Sequence, residues 1–305
     1  MRRSATGKNG RRAFDDYGNG AGAQADAIQL SDSDQPSANA VGRFAAGADG
    51  YARTVIADGT PGVIRVAKSE KGKHTQPALL LTMSPPLRSS ADLIARRVRD
   101  LFDLDADSDA IEAQLAAAGL ARRERLRAGL RVPGAFDSFE LATRAILGQQ
   151  VSVASASTLM SRLTAKFGDG FETDHPSLTH LAATADRVAQ ASVAEIKSIG
   201  LSLARATTIH ALACEIASGR LTIARGVAVP AAMEQLTAIP GIGPWTAGYI
   251  ATRAMKWTDA FPSSDPILRR AAGTATPREL LASAERWRPW RAYAARQLWS
   301  GINDS

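Results

Sequence analysis

One carboxylate, in Asp265-Pro266, follows Trp245 by 20 residues in a chain with only 5 Trp and 4 Tyr. Trp245 and Tyr249 are spaced i, i+4, so a helix would set both rings on one face. Further aromatics gather in Trp287-Arg288-Pro289-Trp290-Arg291-Ala292-Tyr293 and at Trp299. A lone carboxylate suits a reaction in which positive charge develops on a sugar, and flat rings suit stacking on a base turned out of a duplex. Both residue types have plainer uses. Asp before Pro is an ordinary helix N-cap, with Ile267 and Leu268 then turned inward. Trp most often ends in the core.

The elements that must position these side chains are legible around them. Leu236-Thr237-Ala238-Ile239-Pro240-Gly241-Ile242-Gly243-Pro244-Trp245-Thr246-Ala247 reads as helix, glycine turn, helix. Pro230 suits the first turn of a helix ending at Ala238. Pro240-Gly241-Ile242-Gly243 cannot continue it, because proline lacks an N–H and glycine admits backbone angles other residues avoid. Pro244 opens a second helix to about Lys256. The turn thus feeds a helix N-terminus with unpaired N–H groups, which suits a phosphate oxygen, and Thr246 adds a hydroxyl. As a bare pattern, Pro-Gly-x-Gly still favours an ordinary helical corner.

Charge supports the phosphate reading. The chain of 305 residues carries 37 Lys+Arg and 30 Asp+Glu, a net of +7. Met1–Leu120 holds 15 basic and 15 acidic residues, so the whole excess lies in Ala121–Ser305, with 22 and 15. A basic half points to a polyanion, nucleic acid being the commonest. The single cysteine, Cys214, cannot build an intrachain disulfide, a Cys-rich zinc site or a four-Cys iron–sulfur cluster, and it sits in an apolar helical run. His74, His175, His180 and His210 show no ligand spacing. No apolar run approaches the ~20 residues of a membrane span, so a cytoplasmic protein without a membrane partner is expected.

The order of elements gives an α+β architecture. Residues 1–40 read as a disordered tail rich in Gly, Ala, Ser and Asp. Residues 41–120 read as a small α+β domain. Its strands are Tyr51–Ala57, Val63–Ala67 and Ala78–Met83, with a turn at Asp58–Gly62 and a charged loop at Lys68–Gln76. Helices follow, with Ile94, Val98, Leu101 and Phe102 on one face, then Ile111 and Leu115. Residues 121–305 read as a helical region. Its helices are expected at 139–147, 151–167, 177–183, 186–190, 192–197, 202–218, 231–238, 244–256, 266–272, 278–284 and 289–300, with no internal repeat.

Three separated stretches together carry a family likeness. Leu236–Gly273, the run Phe139-Glu140-Leu141-Ala142-Thr143-Arg144-Ala145-Ile146-Leu147-Gly148-Gln149-Gln150-Val151-Ser152-Val153 and the closing Trp287–Tyr293 resemble the helix-hairpin-helix/GPD superfamily of DNA glycosylases. Within it they resemble the bacterial 3-methyladenine DNA glycosylase II type. The similarity spans about Val41 to Trp299 and is strongest over 133–299. It implies a small antiparallel sheet domain followed by a two-lobed helical bundle, with the hairpin at 231–256. It implies Asp265 as the catalytic carboxylate, and Trp245, Tyr249 and Trp299 as walls of a base pocket. Gly241, Gly243 and Thr246 become phosphate contacts, and Gln149 and Gln150 lie on the loop that carries a wedge into the duplex. The carbonyls of Thr237, Ile239 and Ile242 match positions that hold a monovalent cation, sodium or potassium.

The likeness implies a hydrolase that frees 3-methyl or 7-methyl purines from duplex DNA by base flipping, as a monomer in a bacterial cytoplasm at the nucleoid. An alkylated purine is already cationic and leaves without a general acid, which fits one carboxylate rather than a glycosidase pair. Lyase members use a hairpin lysine, here replaced by Trp245, so no lyase activity is expected; members with an iron–sulfur cluster need four cysteines where this chain has one, so no cluster and no required cofactor are expected. Two departures accompany the likeness. The family's opening strand and helix have no counterpart in Met1–Ala40, and Gln150 is polar where some relatives place an apolar wedge. The competing reading is a non-catalytic helix-hairpin-helix DNA-binding protein.

Overall fold

The computed structural model describes residues 44–47, 50–69, 78–121 and 126–303. The expected 1–40 tail and most of the charged loop after Lys68 lie outside the described residues. The sheet comes first. Strands β1 (Phe44–Gly47), β2 (Gly50–Ala57), β3 (Thr60–Lys68) and β4 (Leu79–Met83) form an antiparallel meander in chain order. β1 adds a strand before the three read from the sequence. Ala57 pairs with Thr60, leaving Asp58 and Gly59 as a two-residue turn with φ of 47° and 76°. That double positive φ matches strand twist and needs the Asp-Gly chemistry found there.

One face of the sheet packs on α1 (Ala91–Phe102), burying Ile64, Val66, Ile94, Val98 and Phe102. α2 (Ser108–Ala117) does not join that core. Its Ile111 and Leu115 pack with Trp287, Tyr293 and Ala294. The unit drawn at 41–120 is therefore not a self-contained core, because the apolar face of α2 is covered from the far end of the chain.

Two helical lobes follow. The first is built from α3 (Ser138–Leu147), α4 (Val153–Phe167), α5 (Ala185–Ala189), α6 (Val193–Lys197), α7 (Leu203–Ala217), α8 (Val229–Ala238) and α9 (Pro244–Ala254). They share a core with Ile146, Leu147, Leu163, Ile209, Leu212 and Ile250 fully buried. The second lobe is α10 (Pro266–Ala271), α11 (Pro277–Ala284) and α12 (Arg291–Asn303), with α2 against it. The helix expected at 177–183 is absent. Thr173 Oγ1 donates to the carbonyls of His175 and Leu178, Gly170 bridges His180, and Thr54 Oγ1 donates to the His180 carbonyl at 2.7 Å. Side chain and sheet claim the backbone that a helix would need.

A buried ionic centre joins the three parts. Asp103, at the end of α1, is 4% exposed and has φ 56°. Its carboxylate accepts from Lys256 Nζ beyond α9, Val132 N at 2.9 Å and Tyr293 Oη at 2.7 Å. Burial, followed by the Asp103 charge, pushes the Tyr293 hydroxyl far above its ordinary pKa, so it stays a donor.

Candidate nucleic-acid interface and base site

The hairpin between α8 and α9 is fixed from beneath. Gly241 has φ 94°, and an added Cβ would lie 2.2 Å from Thr208 Oγ1. Only glycine fits there, on both conformational and steric grounds. Thr208 Oγ1 in turn donates to Pro240 O at 2.7 Å. Ile239 and Ile242 are buried pegs at 5% and 3% exposure, and Ile242 N closes the turn on Ile239 O at 3.0 Å.

Gly243 is the N-cap of α9 and makes no side-chain cap. A Cβ added there would meet nothing within 4 Å. The first intrahelical bond is Ala247 N to Gly243 O. Among the described residues, no acceptor takes the N–H of Gly243, Trp245 or Thr246. These are the orphan donors of an uncapped helix, reinforced by the positive end of its dipole.

Thr246 and the glutamines divide the tasks differently from the expectation. The Thr246 side chain is buried, at 4% exposure, and accepts from Gln149 Nε2 at 3.1 Å. Its hydroxyl is engaged by Gln149, so among the described residues only its main-chain N–H stays without a partner. Gln149 Nε2 also donates to Gly241 O at 2.9 Å, so this glutamine clasps the hairpin to the α3–α4 loop. Arg205, on α7, donates to Gln149 O. Of the two glutamines only Gln150 is exposed, with φ 55°, a region costly for a residue with a long side chain. Thr208 and Arg205 were not signalled by any motif. Their contacts join positions 32 and 56 residues apart.

The ring pair forms as its spacing requires. Trp245 and Tyr249 stack with centroids 5.8 Å apart and planes at 12°. Arg253, one further turn along, lies 5.4 Å from the Tyr249 centroid, and its Nη1 donates to Tyr249 Oη at 2.9 Å. Residues at i−4 and i+4 approach from opposite ends of the helix, so Tyr249 is sandwiched. The free aromatic face is therefore that of Trp245, which is 44% exposed.

Asp265 caps α10. Its Oδ1 accepts from Ile267 N at 2.8 Å and Leu268 N at 2.9 Å. Among the described residues, Oδ2 has no hydrogen bond. The capping reading accounts for one oxygen and leaves the other without a partner among the described residues. Leu268 is fully buried as expected, but Ile267 is 46% exposed, contrary to the inward orientation read from the sequence. Trp299 packs against the buried cluster of Leu268, Leu280 and Ala295 that joins α10, α11 and α12. The site residues thus form a hairpin group and an α10 group.

Among the described residues, no group of three His, Cys, Asp or Glu side chains could hold a metal ion. Main-chain oxygens are a separate matter. Ile239 O is shared with Ile242 N, and no described donor reaches Thr237 O or Ile242 O. Thr237 O and Ile242 O are thus spare acceptors at and just beyond the negative end of α8.

Comparison with known proteins follows the same division of the chain. Residues 143–279 match the family described as the HhH-GPD superfamily of base excision DNA repair proteins, and residues 37–137 match the AlkA N-terminal domain. The DNA-3-methyladenine glycosylase 2 of Escherichia coli is 34% identical over 249 residues, 82% of this chain and 84% of that protein. A Mycobacterium tuberculosis protein, named a probable bifunctional transcriptional activator/DNA repair enzyme AlkA, is 41% identical over 211 residues. That match covers 68% of this chain but 42% of the relative, so the alignment spans less than half of the mycobacterial protein. A 3-methyladenine DNA-glycosylase from Archaeoglobus fulgidus shares the fold, with a TM-score of 0.71 at 19% identity over 86% of this chain and 90% of that one.

Proposed function

Since this chain belongs to the HhH-GPD superfamily of base excision DNA repair proteins, among the DNA-3-methyladenine glycosylases, we propose that it hydrolyses the N-glycosidic bond of 3-methyl and 7-methyl purines in duplex DNA. The observation that carries this is Asp265, whose Oδ1 is fixed by two helix N–H groups while Oδ2 has no partner among the described residues. The carboxylate is held without rotational freedom, so its charge needs no reorganisation when positive charge builds on the sugar. Oδ2 can also orient the attacking water. The alkylated purine leaves with its own positive charge, so a second acid has no task.

The hairpin would anchor the duplex through the N–H groups of Gly241, Gly243, Trp245 and Thr246. The extruded cationic base would stack on the open face of Trp245, a contact worth about 0.5–2 kcal/mol. Tyr249 and Arg253 would brace Trp245 from behind, while Trp299 would close the α10 side. Gln150 would enter the gap left by the base. The carbonyls of Thr237, Ile239 and Ile242 would hold a sodium or potassium ion beside the anchored phosphate. Trp245 in the lysine position of lyase members supports a glycosylase without lyase action.

The test is base release from methylated duplex DNA, wild type beside Asp265→Asn. Asparagine retains the capping oxygen, so the fold should survive. Release should fall by about 10²–10³-fold with duplex affinity unchanged. Full activity in the variant would sink the mechanism. Tight duplex binding by the wild type with no base release would favour the non-catalytic DNA-binding reading.

A further inference from the structure

A cleft of about 500 Å³ lies between α4 and the turn joining α6 to α7, lined by Arg162, Ala165, Lys166, Ser198, Ile199 and Gly200. Arg162 and Lys166 are four residues apart on α4 and so share a face. Both are exposed. Arg162 Nη1 donates to Ile199 O at 3.2 Å, and Lys166 Nζ donates to Ser198 Oγ. Both acceptors are neutral. Among the described residues, no carboxylate pairs with either cation. Glu195, whose charge feels Lys166, accepts instead from Ser192 N and Oγ. Elsewhere in the helical lobes Arg220, Arg225, Lys256 and Arg291 are each held by a carboxylate, while Arg205, Arg253 and Arg269 bond neutral acceptors singly rather than as a pair lining one cleft.

The cleft is therefore a notch with two positive charges that, among the described residues, no carboxylate pairs directly. Gly200, at φ 105°, forms its floor, and an added Cβ would come within 2.9 Å of Arg162 Nη1. The missing side chain lets the guanidinium lie against the turn.

Its position relative to the hairpin is set by α7. That helix starts at the turn and reaches Thr208, which holds Pro240 O of the hairpin. From Ser202 to Thr208 the helix climbs roughly 9 Å. One DNA strand advances ~3.4 Å per phosphate along its axis, so a helix rise of this size is on the scale of a few phosphates. We infer that this cleft holds a second backbone phosphate of the duplex anchored by the hairpin. Arg162 supplies a planar fork of donors and Lys166 a point charge. The inference rests on the duplex-binding reading above but not on base release.

The test uses the full chain and a ~24-base-pair duplex carrying one stable abasic analogue to fix the register, with single phosphates neutralised as methylphosphonates. Wild type should lose affinity at two separated positions on one strand. Arg162→Gln/Lys166→Gln should become indifferent at the second position only. The slope of log K against log[salt] should become shallower by about 0.9, the value for one phosphate that the variant leaves with its counterions. Arg88→Gln/Arg96→Gln removes the same charge from the sheet domain and should keep both positions. Identical profiles in wild type and cleft variant, or an equal slope change in the control, would overturn the inference. If base release is missing but the cleft profile is as expected, the glycosylase reading fails and this one stands.

Discussion

The chain contains two glycine turns of similar build that face different tasks. In the α6–α7 turn, Ile199 is buried at 5%, Gly200 has φ 105°, Leu201 is buried at 6% and Ser202 caps the next helix. In the α8–α9 turn, Ile239 is buried at 5%, Gly241 has φ 94°, Ile242 is buried at 3% and Gly243 takes the N-cap position. The cap separates them. Ser202 Oγ accepts from Arg205 N at 3.3 Å, so the first turn satisfies its own helix. Gly243 has no side chain to do so, and the second turn leaves its donors for an outside acceptor. A shared backbone path therefore does not settle function. What settles it is whether the protein consumes its own hydrogen-bond donors.

Four substitutions break or sharpen that contrast. The largest effect is expected at Gly241→Val, where positive φ and the clash with Thr208 act together. It should lower unfolding free energy by about 3–4 kcal/mol in urea titrations. Gly200→Ala meets only the mobile end of Arg162 and should lose about 1–2 kcal/mol. Next is Gly243→Asp, which gives the second turn a self-cap like that of the first. Thermal stability should hold, while duplex affinity by fluorescence anisotropy should fall about tenfold or more, as a carboxylate now occupies the anion position. An unchanged affinity would mean the open cap is not the phosphate contact. The smallest effect is Ser202→Ala, which should cost about 1 kcal/mol of stability with duplex affinity unchanged.

The sequence made some of this visible and hid the rest for identifiable reasons. From Ser138 onward most helices lie within two or three residues of their expected bounds, helped by local start signals such as side-chain caps and first-turn prolines. The stretch at 177–183 misleads because Leu178 and Leu181 are buried at helical spacing, yet they reach the core from a turn held by Thr173. β1, Phe-Ala-Ala-Gly, is too short and too poor in strand-forming residues to signal a strand. Ring stacking and the Asp265 cap are legible because both are local, at i, i+4 and i, i+3. The inward turn of Gln149 is not, because its partners lie 92 and 97 residues on. The outward side of Ile267 escapes the pattern because a helix of six residues is too short for period to separate an inner from an outer face.

The ionic centre at Asp103 bears on how freely the hairpin lobe could be transplanted. Residues 143–279, the portion matched to the superfamily, contain Lys256 but neither Asp103 nor Tyr293. Excised at those limits, the lobe would carry a largely buried ammonium stripped of its counter-charge, and Leu268 would lose its cover from α12. Recombination that shuffles this lobe between proteins must therefore carry along the end of α1 and the last helix, so the heritable module is larger than the motif it houses.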